Sequence, residues 1–325
     1  MLSFRRCQDH MTADALFPEI EQPYDAGHLR VSELHRIYYE QVGNPSGKPL
    51  FVLHGGPGAG CSPTMRRYAD PEKFRIVLHD QRGAGRSIPF GEIRENTTQA
   101  LVEDVERLRQ HLRIKRMILL GGSWGSTLAL AYAEAYPDHV AGLILRGIFL
   151  GTREELDLYF PRNVGDYFPE VYERLCAQLP EVPGKSLPER VFALLQSPDE
   201  EVRRKATRAW LEFELKTVVL QRTDEEVRQE MESFDPEALA KIETFYIVRD
   251  CFLEEGQLLR DIGKIQHIPA LILNGRYDLM TPPVVAWRLH KALPKSEIWF
   301  IEGVGHSAGE PATQEAIVRA VRRFE

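Results

Sequence analysis

The residues most able to do chemistry begin with Gly121-Gly-Ser123-Trp-Gly125, which follows the apolar run Met117-Ile-Leu-Leu and opens a helical pattern. A G-x-S-x-G on a strand–turn–helix junction presents its serine on a tight, crowded turn that only small neighbours permit. On its own the pentapeptide could be a glycine-rich turn with a capping serine. A serine hydroxyl is also a weak nucleophile that needs a base, and the base needs an acid to fix its tautomer. Both occur in order along the chain. Asp278 lies just past Ala270-Leu-Ile-Leu-Asn-Gly, and His306 lies just past Ile298-Trp-Phe-Ile, within Gly303-Val-Gly-His-Ser. Asp278 could instead cap a helix starting near Pro282 and Pro283, and one histidine among ten is often a packed residue. The three together, each after a buried run, favour acyl transfer by Ser123, His306 and Asp278.

Attack on a carbonyl also needs donors for the oxyanion. The backbone N–H of Trp124 supplies one. The loop His54-Gly-Gly-Pro-Gly-Ala-Gly60 after Leu50-Phe-Val-Leu supplies the other, with Gly56 as the chosen donor. These glycines fit neither a phosphate-binding nor a dinucleotide-binding spacing, so no nucleotide cofactor is expected. His54 reads as structural. Asp80-Gln-Arg-Gly-Ala-Gly-Arg-Ser87 reads as a rigid turn beside the site with Arg82 and Arg86 as buttresses, and Cys61 as a packed small side chain rather than a nucleophile.

The elements that must position these groups follow from pattern. His28 to Glu40 alternates loosely and ends at Gly43-Asn-Pro-Ser-Gly, which predicts an antiparallel hairpin at a sheet edge. Six short apolar runs, at Pro49, Phe74, Met117, Val140, Ala270 and Ile298, predict parallel strands buried on both faces. Helical patterns over 98–112, 126–136, 283–293 and 311–324 alternate with them, so a doubly wound α/β sheet is expected. Between about Gly151 and Gly263 the alternation stops, and long charged helical patterns at 199–220 and 235–252 predict an inserted helical domain. The expected division is a catalytic domain from 1–150 and 263–325 with a helical cap at 151–262. The cap carries a net charge of −10 and the remainder +3. Exposed acidic helices would account for that, and so would carboxylates facing a cationic substrate.

Composition narrows the function. The chain has 325 residues, is 43% hydrophobic and carries a net charge of −7, which argues against nucleic-acid binding. No apolar run approaches the roughly 20 residues of a membrane span, and the first residues lack a secretory apolar stretch. A cytoplasmic protein is expected. Cys7, Cys61, Cys176 and Cys251 lie too far apart for a metal-ligand spacing, and reduced thiols without a metal are expected.

The series His54-Gly-Gly-Pro-Gly, Asp80-Gln-Arg-Gly-Ala-Gly-Arg-Ser, Gly121-Gly-Ser-Trp-Gly-Ser-Thr-Leu-Ala-Leu, Leu145-Arg-Gly-Ile-Phe-Leu, Gly275-Arg-Tyr-Asp and Gly305-His-Ser-Ala resembles the prolyl aminopeptidases, also called proline iminopeptidases. The resemblance spans about residues 20–325. It implies an α/β-hydrolase fold with a helical cap, no cofactor, and release of N-terminal proline from short peptides through a prolyl-enzyme intermediate. It further implies that Glu214 and Glu243 bind the substrate amine, with Glu212, two residues before Glu214, as the alternative to it, and with the Gly55 carbonyl as a further acceptor. Phe149 and Tyr159 would line the slot for the proline ring, and Arg146 would order the acidic groups. Chemistry agrees, because a prolyl N-terminus is a secondary ammonium with two N–H donors. The cap also departs from the family: Tyr159-Phe-Pro-Arg-Asn-Val-Gly-Asp replaces a Tyr-Gln-x-Gly-Ala-Ser-like stretch, and Asp250-Cys-Phe252 replaces Gly-Gly-Phe. The rival reading is a hydrolase of small esters, lactones or amides on the same frame.

Overall fold

In the computed structural model, which describes residues 15–158, 164–232 and 236–325, eight strands form one sheet in the order β1-β2-β4-β3-β5-β6-β7-β8. The strands are β1 (Asp25–Arg30), β2 (Arg36–Gly43), β3 (Lys48–Leu53), β4 (Phe74–His79), β5 (Met117–Ser123), β6 (Val140–Ile148), β7 (Ala270–Gly275) and β8 (Ser296–Ile301). β1 and β2 form the antiparallel edge and every pairing from β4 to β8 is parallel.

Alternate residues of the parallel strands serve two cores, as the two-residue period of a strand requires. Phe51, Leu53, Leu119, Leu145 and Ile272 pack on one face, under α1 (Thr98–His111), α2 (Trp124–Ala135) and α10 (Pro283–Ala292). Leu50, Val52, Leu120, Ile144 and Leu273 pack on the other, under α11 (Pro311–Arg322). Both faces being apolar is why these runs read as continuous rather than alternating in the sequence.

Between β6 and β7 lie α3 (Arg153–Leu158), α4 (Pro169–Gln178), α5 (Leu187–Leu195), α6 (Glu200–Thr217), α7 (Asp224–Met231), α8 (Pro236–Ile247) and the short α9 (Gln257–Arg260). α4, α5 and α6 share a core of their own around Trp210, Phe213, Leu175 and Val191. α8 joins this group to the sheet, with Ala240 in the helical core and Ile242, Phe245 and Tyr246 in the sheet core. The Asp199 side chain caps α6 by accepting from the Glu201 N–H at 2.9 Å.

Helix bounds differ from the sequence pattern in two instructive places. α2 begins at Trp124 rather than Ser126, because the turn at Ser123 feeds the helix with no connecting residue. The pattern over 235–252 is not one helix: α8 ends at Ile247, and Asp250, Cys251 and Phe252 all have left-handed φ of 51° to 55°. Three such residues in succession cannot continue a right-handed helix. Among the described residues no helix is long and apolar enough to cross a membrane.

Candidate active site

Ser123 ends β5 directly before α2, with φ 56° and ψ −127°, a strained conformation for a residue with a side chain. The strain is held by close packing. A Cβ at Gly121 would collide with the Gly125 carbonyl, and one at Gly125 would collide with the Leu53 carbonyl. The Trp124 N–H opens α2, so it has no partner within the helix and faces outward with the positive end of the helix dipole.

His306 Nε2 lies 3.0 Å from Ser123 Oγ, and its Nδ1 lies 2.8 Å from Asp278 Oδ2. With Nδ1 on a carboxylate, the neutral ring keeps its proton there and leaves Nε2 to accept from the serine. Asp278 is fixed in turn by the Thr281 N–H and hydroxyl, both at 2.8 Å. This Asx turn sits ahead of α10, whose capping position is Pro282, so Asp278 serves the histidine rather than the helix. The His306 main chain is gripped from both sides. Its N–H donates to the Val218 carbonyl at the end of α6 (2.8 Å), and its carbonyl accepts from the Arg146 guanidinium.

A cavity of about 60 Å³ opens beside Ser123, lined by Gly56, Phe149, Glu214, Glu243, Tyr246 and Thr281 among others. A larger cavity, about 350 Å³ between α4, α6 and α7, holds the Arg208–Glu212 ion pair and is lined by none of the groups just described.

Glu214 from α6 and Glu243 from α8 meet inside the small cavity, 7% and 8% exposed. Burial, reinforced by the Glu243 charge and hydrogen bond, drives Glu214 well above the usual carboxylate range. Burial also pushes Glu243 up to about 7, while hydrogen bonds from Glu214 and from the Trp210 indole (2.9 Å) restrain the rise. Two carboxylates this close hold one proton between them, with Glu214 as its donor. Glu212 points away, paired with Arg208 at 2.7 Å.

Other expected residues fall in different places. Phe149 lines the cavity. Tyr159 lies outside the described residues. Gly55 adjoins the serine, since a Cβ built on it would stand 3.4 Å from Ser123 Cβ. Its carbonyl accepts from the Ala59 N–H (3.4 Å) and from His54 Nδ1 (2.9 Å) within its own loop. Arg146 does not order the glutamates either. It shares strand parity with Ile144, so its side chain lies on the α11 face, against the His306 carbonyl and near Asp278 and Glu310; burial lowers its pKa. Gly56 has φ +103°, and a Cβ there would approach the Gly58 nitrogen to 2.6 Å, so the loop requires glycine. His54 is buried with its pKa lowered by that burial. Arg82 pairs with Asp104 of α1 at 2.6 Å, and Arg86 with Asp80 at 2.8 Å. The Cys61 thiol packs against the His79 carbonyl, and burial raises its pKa.

Sequence reasoning missed Trp210 and Thr281. Trp210 is one helical turn before Glu214, and Thr281 makes a D-x-x-T turn with Asp278, so spacing carried both signals. It also missed Glu155 and Cys251, which line the cavity from α3 and from the left-handed segment.

Comparison with known proteins agrees with this architecture. The alpha/beta hydrolase fold family matches residues 48–312. The chain is 46% identical to a proline iminopeptidase of Xylella fastidiosa over 95% of its length and 99% of that protein. It is 44% identical to one of Arabidopsis thaliana, over 95% of this chain and 82% of that one. Among solved structures, a thermophilic esterase from Thermogutta terrifontis aligns at TM-score 0.64 and 22% identity, covering 92% of this chain and 97% of that one. A proline iminopeptidase-related protein from Thermus thermophilus aligns at TM-score 0.61 and 23% identity with the same coverage. By fold and by sequence, this chain belongs to the proline iminopeptidase family of α/β hydrolases.

Proposed function

We propose that the protein is a serine exopeptidase that releases N-terminal proline from short peptides, and that residues 151–262 act as the cap of its site. The observation that carries this reading is the buried Glu214–Glu243 pair in the same small cavity as Ser123. An ammonium with two N–H donors satisfies two carboxylates that otherwise share a proton, and a buried carboxylate pair has little other use in a hydrolase of neutral esters. The cavity beside Ser123 is small, and Phe149 and Tyr246 line it together with the two glutamates, which suits one apolar ring with a charged nitrogen on the amino side of the scissile bond.

The prolyl ammonium enters between Glu214 and Glu243, and the pair's shared proton is released to solvent. Ser123 attacks the prolyl carbonyl while His306 Nε2 takes its proton, and Asp278 holds the imidazolium that forms. The Gly56 and Trp124 amides receive the oxyanion. His306 then protonates the leaving amine, and water activated by the same ring releases proline. The unpaired thiols of Cys61, Cys176 and Cys251 suit a reducing compartment, and we place the activity in the cytoplasm.

Mass analysis of a Pro-initiated tetrapeptide and its N-acetylated form tests this. Free proline and the shortened peptide are expected from the first alone; loss of the acetylated peptide, or cleavage inside the chain, would refute the reading.

A further inference from the structure

Gln81, the first residue but one after β4, is 2% exposed and belongs to no part of the mechanism above. Its side-chain N–H donates to the His54 carbonyl at 2.9 Å, and its side-chain oxygen accepts from the Trp124 indole N–H at 2.9 Å. Its backbone N–H donates to His54 Nε2, also at 2.9 Å, which leaves the His54 proton on Nδ1 for the Gly55 carbonyl. His54 and Gly55 lead directly into Gly56, and Trp124 carries the second oxyanion amide. One carboxamide therefore bolts together the two segments that must converge on the same oxygen.

We propose that Gln81 is a positioning residue that sets the Gly56 and Trp124 amides relative to each other, so that oxyanion stabilisation depends on it while ground-state binding of the amine does not. The proposal rests on the aminopeptidase reading for its substrate. The chemistry requires this side chain: Leu offers neither hydrogen bond, and an ionised Glu can only accept. The Trp124 indole is fully buried and meets Tyr246 edge-on at 4.8 Å, so Gln81 is what satisfies its N–H and fixes its direction. Displacing an oxyanion donor by even about 1 Å costs roughly 10²-fold in rate.

The test compares wild type, Gln81→Leu, Trp124→Phe and the double variant on L-prolyl-p-nitroanilide, with L-prolinal and L-prolinol as inhibitors. Prolinal forms a hemiacetal with Ser123 and loads the oxyanion site, whereas prolinol has the amine and ring but no carbonyl. Gln81→Leu should lower kcat about 10- to 100-fold with KM within about twofold, and weaken prolinal in step while leaving prolinol unchanged. Trp124→Phe should show the same split, and the double variant should lose no more than the worse single one. Unchanged kcat and prolinal affinity, equal weakening of both inhibitors, or additive losses would overturn the proposal. Wild-type turnover reports on the aminopeptidase reading separately. If wild type cleaved only p-nitrophenyl acetate, fluorophosphonate labelling of Ser123, slowed by the same factor in Gln81→Leu, would still decide the role of Gln81.

Discussion

Replacing Glu214 with Gln separates amine recognition from acyl transfer. In the free protein Glu214 already carries the proton shared with Glu243. A glutamine therefore reproduces the resting hydrogen bond, because its amide N–H donates to Glu243 where the protonated carboxyl did. The fold should lose nothing, and its melting temperature at neutral pH should stay level or rise, since folding no longer has to protonate a carboxyl that is ionised in the unfolded chain. With substrate bound the balance reverses. The prolyl ammonium then faces one carboxylate and one neutral amide in a site less than a tenth exposed. Breaking one side of a buried, hydrogen-bonded charge pair costs about 2–5 kcal/mol, and the matching shape of glutamine places this change near about 2–4 kcal/mol. At roughly 1.4 kcal/mol per decade that is a fall of about 30- to 1000-fold in kcat/KM for L-prolyl-p-nitroanilide. Hydrolysis of p-nitrophenyl acetate, which has no amine, should change less than about twofold. Steady-state kinetics on the two substrates and a thermal melt complete the test. Equal losses on both substrates, or no loss on the prolyl anilide, would refute the assignment of Glu214.

Three further outcomes are expected. Trp210→Phe removes the indole donor that restrains Glu243, so the acid limb of kcat/KM for prolyl substrates should move to higher pH, as a pH–rate profile would record. Glu243 has a folded pKa of about 7 against 4.5 for the ordinary group, so the folded state holds the extra proton between those values and stability from this group is greatest below about 4.5 and falls as the pH rises through about 7; the gain in melting temperature of Glu243→Gln over wild type should therefore grow from pH 5 to pH 8. Thr281→Val deletes the hydroxyl that bonds Asp278 at 2.8 Å, and kcat should drop about tenfold on prolyl and acetate substrates alike, because the loss lies in His306 and not in amine binding.

The convergence of Ser123, Asp278 and His306 was legible because each follows a strand whose apolar run is unmistakable, and chain order did the rest. The choice between Glu212 and Glu214 was also open to pattern. Residues two positions apart on a helix lie about 200° apart around its axis, and the one a turn after the buried Trp210 faces inward. Arg146 shows the opposite case, since simple strand alternation puts it beside Ile144 on the α11 face while the family resemblance sent it to the cap. The end of α8 was not legible. Asp250, Cys251 and Phe252 take left-handed conformations without a glycine to announce them, and tertiary packing around Cys251 and Thr98 holds them. The hydrogen bond from His54 to the Gly55 carbonyl likewise depends on a histidine tautomer set by Gln81, which no local spacing encodes.

The most direct test of the account is release of p-nitroaniline from L-prolyl-p-nitroanilide and N-acetyl-prolyl-p-nitroanilide by wild type and Ser123→Ala. The account predicts turnover of the free prolyl anilide alone, reduced at least about 10⁴-fold in Ser123→Ala. Comparable cleavage of the acetylated anilide, or resistance of both while p-nitrophenyl acetate is hydrolysed, would contradict it.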